Sequence, residues 1–328
     1  MSQGVTVVET HRMGDAVMAL PFVIGAREAG WRVTVAAPPG TIEVFRLVLA
    51  EADCLELPRR GCARALAQAR ERWGSEIAVC GWADPRVHAW MVQAGFRRRI
   101  GFPPEPVNLF AREAALLAPH HEVVRFVDWG LSCWLGPLLT DRLMRKAHGQ
   151  HHAEDWRQVA GCLGVEARLP EDWAGRCEQS REWLVHPGAG ASWKLWSESA
   201  WLTLLERMER AGIPTRVVAG PGVPRLSWRG ASVDCQTVGD LVKAVRQAHG
   251  MVGLDSFPAH LASSMGRRVV VVFGEMRRCW FAPEGQRVRV VGREGRWPIR
   301  REDLAERGGT LLGQVTPDQV LAEVLALG

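Results

Sequence analysis

The chain contains no tyrosine, and of its 41 basic residues only three, Lys146, Lys194 and Lys243, are lysine. The arginine excess reads as a codon bias, so a lysine stands out where it does occur. No run of eighteen apolar residues is present, which argues against a transmembrane helix. No basic stretch precedes an apolar core at the N-terminus. Glu9, His11, Arg12 and Asp15 soon interrupt the apolar residues there, so a secretory signal is not expected and the cytoplasm is the expected compartment. None of the eight cysteines (54, 62, 80, 133, 162, 177, 235 and 279) is spaced as Cys-x-x-Cys. A zinc ribbon or thioredoxin-type motif therefore has no support, and the thiols read as reduced, partly buried small hydrophobes. No repeat of solenoid length and no low-complexity segment occurs.

The composition is that of an ordinary globular protein, 47% hydrophobic and 23% charged over 328 residues, enough for two domains. The formal net charge of +5 suits an anionic substrate or an anionic membrane surface better than duplex nucleic acid, whose partners concentrate charge on one element.

Short β-rich runs alternate with helical patterns. Val5–Glu9 and Arg32–Ala36 read as strands around a helix from about Ala16 to Gly30, and the alternation continues through the first half. Residues 122–164 read as helical. A polar, turn-rich stretch, Arg168–Glu182, marks the domain linker. The alternation restarts with Trp183–His186 and includes Pro214–Ala219, Met251–Gly253 and Arg268–Phe273 before a closing helix over 316–327. The pattern predicts an α/β protein of two parallel sheets in series, domain 1–168 and domain 169–328. The last helix is a candidate to pack back on the first domain. Ligands of such sheets bind beyond the carboxyl ends of the strands.

Three segments could carry chemistry. In the first, Gly14 permits a tight strand-to-helix turn and Asp15 stands at the start of a helix. Asp15 is either an N-cap or a general base. The second is His186-Pro187-Gly188-Ala189-Gly190-Ala191-Ser192-Trp193-Lys194, a glycine-rich loop that ends in a hydroxyl and an ammonium. It lacks the endings of a Walker or dinucleotide loop, but it suits an anion near a helix start. The third, Asp255-Ser256-Phe257-Pro258-Ala259-His260, passes from a strand into a helix expected to open at Pro258. Asp255 and Ser256 read as caps or as a second phosphate cradle, and His260 as a packed core histidine or a site residue.

Taken together, Gly14-Asp15 with Leu20-Pro21, Pro187-Gly188-Ala189 with Lys194-Leu195-Trp196, and Asp255-Ser256 with His260-Leu261-Ala262 and Phe273-Gly274 resemble glycosyltransferase family 9, the lipopolysaccharide heptosyltransferases. Trp280-Phe281-Ala282-Pro283 resembles that family's later Trp-x-Pro. The resemblance implies a GT-B fold, two Rossmann-like doubly wound domains facing across a cleft. It implies inverting transfer of a sugar, typically from ADP-heptose, to a hydroxyl of a glycan such as lipopolysaccharide core. By position, Asp15 would be the base beside the Gly14 turn. Ser192, Lys194 and Ser256 would hold the donor diphosphate, and Gly188, Gly190, Asp255 and His260 would line the donor site. No Asp-x-Asp is present, and one ammonium with positioned N–H groups can meet the leaving-group charge, so no metal or other cofactor is expected.

The chain departs from the family at Phe257, where glycine is usual, and at Val223, where a ribose-binding glutamate is usual. A nucleotide-sugar epimerase of similar build and a non-catalytic binding relative are the rival readings. The expected partners are a nucleotide sugar and a glycan acceptor, with peripheral contact at the cytoplasmic membrane face and no nucleic acid. His148, His151 and His152, like His120-His121-Glu122, read as a solvated helical surface, and Arg97-Arg98-Arg99 as a solvated loop.

Overall fold

A computed structural model describes residues 3–103, 138–144, 150–170, 172–176, 180–274, 278–292 and 312–328. The chain divides into two compact units, Met1–Leu169 and Pro170–Gly328.

The first unit is built on six strands: β1 (Gly4–Val8), β2 (Arg32–Ala37), β3 (Cys54–Glu56), β4 (Ile77–Cys80), β5 (Arg98–Gly101) and β6 (Asp141–Arg142). They are all parallel, in the order β3-β2-β1-β4-β5-β6. Val5, Val7 and Val8 are fully buried and so is Thr6. Burial on both faces replaces polar–apolar alternation with the continuous apolar run seen in the sequence. The helices are α1 (Met13–Glu28), α2 (Thr41–Phe45), α3 (Cys62–Trp73), α4 (Pro85–Gln93) and α5 (His152–Cys162). α1 is apolar on most sides, and Ala16–Leu20, Phe22 and Val23 are buried, which suits a helix set into the core. Pro21 inside it costs one helical bond, and its own carbonyl accepts from Arg168 N at 3.0 Å.

The second unit repeats the plan with β7 (Trp183–His186), β8 (Thr215–Ala219), β9 (Ser232–Asp234), β10 (Gly250–Leu254), β11 (Arg268–Val272) and β12 (Val288–Val291). These strands are also parallel, ordered β12-β11-β10-β7-β8-β9. Its helices are α6 (Glu198–Arg210), α7 (Val238–Gln247), α8 (Phe257–Ser264), α9 (Arg278–Phe281) and α10 (Pro317–Leu327). Numbered from its own first strand, each sheet has the doubly wound order 3-2-1-4-5-6. Connections diverge between β1 and β4 in one unit and between β7 and β10 in the other. Those are the two points where such sheets open a crevice for a ligand.

Several readings of the sequence need correction. The closing helix α10 packs on the core of the second unit. Val320 and Val324, one turn apart, enter the core shared by α6, β10 and β11, and Arg207 pairs with Asp318. β6 and β12 were not foreseen. β6 has only two residues, and β12 is an edge strand with no fully buried position. Arg98 and Arg99 are not loop residues. They lie in β5, where Arg98 Nη2 donates to Asp141 at 2.9 Å and Arg99 Nε donates to the Leu138 carbonyl at 2.6 Å, so both guanidiniums tie down the sheet edge. His120, His121, Glu122, His148 and about half of the helix expected over 122–164 lie outside the described residues. No described helix is long and apolar enough to cross a membrane.

Candidate active site

In the second unit the parallel pairing of β7 and β10 sets His186 opposite Gly253. The segments that leave the two strands therefore emerge side by side at the switch point. β7 runs into Pro187–Ala191 and then a single 3-10 turn, Ser192–Lys194. β10 runs into Asp255, Ser256 and α8.

Lys194 and Asp255, 61 residues apart, meet there. The ammonium is ion-paired with Asp255 Oδ2, lies 3.5 Å from the Asp255 carbonyl, and sits 5.2 Å from the centroid of the Trp193 ring. Their side chains are 16% and 9% exposed. His260 brings Nε2 to 4.0 Å from the other Asp255 oxygen. Asp255 thus lies between a lysine and a histidine, three of the expected donor-site residues in one cluster. His260 is both a buried histidine and a site neighbour, so the two readings of it do not exclude one another.

Ser256 is the N-cap of α8, but its hydroxyl donates back to the Leu254 carbonyl at 3.3 Å and does not cap the helix. The helix opens at Phe257, one residue earlier than expected, with Pro258 second. Ser192 is exposed on the 3-10 turn and Gly190 is exposed beside it. Gly188 is buried. A Cβ there would stand 2.9 Å from His186 Cε1 and 3.4 Å from Val223 Cα, so the loop folds tightly against the Val223–Pro224 segment. α6 starts beyond the 3-10 turn, and its N-terminus is already capped by Ser197, which accepts from Ala200 N at 3.2 Å.

In the first unit Gly14 does not form a left-handed turn but lies in the first turn of α1, with ordinary negative φ. The turn is made by residues 9–12, and Arg12 is the N-cap. Asp15 is therefore the third residue of the helix, not its cap, and its Oδ2 accepts from Arg12 N at 3.0 Å. Burial, and next the neighbouring Glu9, push its carboxyl above the usual aspartate range. His152, the Arg12 amide and His11 pull the other way.

Most of these neighbours were missed in the sequence. Glu9 is fully buried, accepts from His11 N at 2.8 Å, and lies 3.5 Å from His11 Nδ1. Trp82, just after β4, stacks on His11 with ring centroids 3.9 Å apart and packs at a tilt against His152 at 4.2 Å. His152 is not solvated. It is 2% exposed, and Nδ1 is 3.0 Å from Asp155 Oδ2. The available signal was spacing, because residues three apart on a helix share a face. Among the described residues, no three His, Cys, Asp or Glu side chains form a group able to hold a metal ion.

Two doubly wound sheets with polar loops at their switch points define the GT-B class of glycosyltransferase architecture. The family model for glycosyltransferase family 9 (heptosyltransferase) matches residues 127–306, more than half of the chain, and the chain belongs to that family. The match takes in Gly188 through His260 but not Asp15. Among solved structures, a family 9 glycosyl transferase from Veillonella parvula superposes with a TM-score of 0.70 at 14% identity, covering 100% of this chain and 98% of that one. Escherichia coli heptosyltransferase WaaC with ADP gives 0.67 at 16% identity, covering 99% and 100%. Escherichia coli ADP-heptose lipopolysaccharide heptosyltransferase II gives 0.64 at 16% identity, covering 100% and 98%. At these identities the superpositions establish a shared fold. No curated protein matches the chain by sequence.

Proposed function

We propose that this glycosyltransferase moves a heptose from ADP-heptose to a hydroxyl of a glycan acceptor of the lipopolysaccharide-core type, with inversion at the anomeric carbon and without a metal or other cofactor. The acceptor is lipid-linked and met at the cytoplasmic face of the membrane. The observation that carries the reading is the cluster of Lys194, Asp255 and His260 at the β7–β10 switch point, beside an α8 N-terminus that its own serine leaves uncapped. An ammonium and the positive end of a helix suit a diphosphate whose charge grows as the sugar leaves. Ser192 and Ser256 add hydroxyls to that contact, and the Gly188–Gly190 loop brings backbone close to it.

In this reading Asp15 takes the proton of the acceptor hydroxyl. The hydroxyl oxygen bonds to the anomeric carbon as the carbon–phosphate oxygen bond breaks, and the electron pair leaves with ADP. The burial that holds the Asp15 carboxyl up makes it a stronger proton acceptor than an exposed aspartate. Of the heptosyltransferases that share the fold, WaaC is also solved with ADP-2-deoxy-2-fluoro heptose and heptosyltransferase II is named for ADP-heptose, which supports that choice.

The test measures ADP release from ADP-heptose with and without a truncated lipopolysaccharide core, in the presence of EDTA. Acceptor-dependent release, lowered at least a hundredfold in Asp15→Asn with ADP affinity retained, is the expected result. Acceptor-independent consumption would point to an epimerase, binding without turnover to a non-catalytic relative, and loss of activity in EDTA to a metal requirement.

A further inference from the structure

The Lys194–Asp255–His260 cluster lies at the carboxyl ends of β7 and β10. At the opposite, amino end of the same sheet the second unit holds a cavity of about 470 Å³. Small-molecule sites commonly occupy roughly 300–1,000 Å³. Arg267 lines the cavity, and the next residue, Arg268, pairs with Gly250 at the start of β10, whereas the cluster follows Leu254 at its end. The length of β10 therefore separates the two, about 15 Å.

Three segments wall the cavity: the turn 172–176, the end of α8 with the turn into β11, and the turn 285–287 ahead of β12. They are tied to one another. Trp173 Nε1 donates to the Ser264 carbonyl at 2.8 Å, and the Ser263 hydroxyl donates to the Glu284 carbonyl. Each segment contributes one arginine, Arg176, Arg267 or Arg287. A fourth, Arg246 of α7, braces two of them. Its Nε and Nη2 donate to the Arg176 carbonyl at 3.3 Å, and its own carbonyl accepts from Arg267 Nη2. Gly175 makes room for it, since a Cβ there would lie 2.9 Å from the Arg246 guanidinium carbon. Among the described residues of the lining, Asp172 is the one carboxylate.

Arginines often gather at a helix C-terminus to meet its last carbonyls. At α8 that task is already done. The Leu261, Ala262 and Ser263 carbonyls accept from the amides of Met265, Arg267 and Gly266 at 3.1, 3.0 and 2.9 Å, and Ser264 accepts from Trp173. Ion pairing does not account for the charge either. The side chains of Arg176 and Arg287 are exposed, and among the described residues they have no partner. Like charges grouped around one cavity repel each other, and the same grouping focuses a field that draws in an anion. Guanidinium forks match phosphate oxygens two at a time.

We propose that this cavity binds a phosphate group through Arg176, Arg267 and Arg287, at a site separate from the donor site. The phosphate is carried either by a soluble compound or by the headgroup of an anionic lipid.

The test follows the methyl of Met265, which lines the cavity, by ¹³C-methionine NMR assigned with Met265→Leu. Inorganic phosphate is added at constant ionic strength. The resonance should shift saturably, sulfate should compete, and the affinity should fall roughly fivefold or more in Arg176→Gln and in Arg287→Gln. The shift should persist in Lys194→Ala. A resonance that does not move, or that moves equally in both arginine variants, overturns the proposal. A response lost in Lys194→Ala overturns it too, because the phosphate would then act from the loop after β7. Both arginines are exposed, and circular dichroism checks that the variants fold; if one does not, the other decides. Cosedimentation with phosphatidylglycerol vesicles, against phosphatidylcholine vesicles, identifies the source. Capture that Arg176→Gln and Arg287→Gln both weaken assigns the phosphate to a lipid headgroup, and equal recovery with the two vesicle types assigns it to a soluble compound.

Discussion

The Lys194 ammonium is ion-paired with the carboxylate of Asp255, 61 residues further along the chain. The lysine of the proposed diphosphate site is therefore already ion-paired in the ligand-free protein. An arriving diphosphate has to compete with Asp255 for it or share it. Replacing Asp255 with Asn should act in two directions. It strips a largely buried cation of its partner and lowers stability by about 3 kcal/mol. It also frees the ammonium, so inorganic pyrophosphate should bind more tightly, by roughly threefold to tenfold. Calorimetry with pyrophosphate and a denaturant melt read the two effects separately. Weaker pyrophosphate binding in Asp255→Asn would mean that the aspartate orients the lysine and does not mask it.

Gly188→Ala tests the tightness of the loop after β7. The added methyl meets the ring of His186, a buried residue with little freedom to withdraw. The loop must shift, at a cost of about 1–3 kcal/mol. ADP affinity should fall along with the melting temperature. A wild-type Kd would show that the loop's tight fold does not matter for the nucleotide.

Two buried imidazoles make stability depend on pH. Burial lowers His88 and His186 to about 4 each. The unfolded chain takes up these protons near the ordinary histidine value, whereas the folded chain resists until about pH 4. Stability from these groups is complete above the unfolded value and is lost as pH falls between the two. The loss approaches about 3 kcal/mol per histidine. Urea melts at pH 7 and pH 5 should show it, and His88→Leu should flatten the dependence. An unchanged slope in that variant would refute the assignment to His88.

Trp156 is fully buried, stacked on Phe22 and pressed against Gly81. Trp156→Ala should cost about 3–5 kcal/mol and release α5 from α1. If α5 orders the surroundings of Asp15, turnover should fall further than ADP affinity, since Trp156 and the proposed nucleotide-binding loops belong to different units. Equal losses in both would argue for general unfolding.

The sequence by itself determined the fold class, because doubly buried parallel strands leave apolar runs at regular spacing between helical patterns. It also identified Lys194, Asp255, Ser256 and His260 as chemically notable, since glycine-rich turns and helix starts leave local signatures, and those signatures carried the family. Only the tertiary structure decided that Lys194 and Asp255 face each other, because strand order, not chain order, makes β7 and β10 neighbours. It alone turned His152 from an apparent surface histidine into a buried partner of Asp155. It also kept the closing helix within the second unit, where the Val320 and Val324 stripe meets its own sheet. Local patterns record what each segment prefers, whereas these pairings come from packing between segments far apart in the chain, which no local pattern encodes.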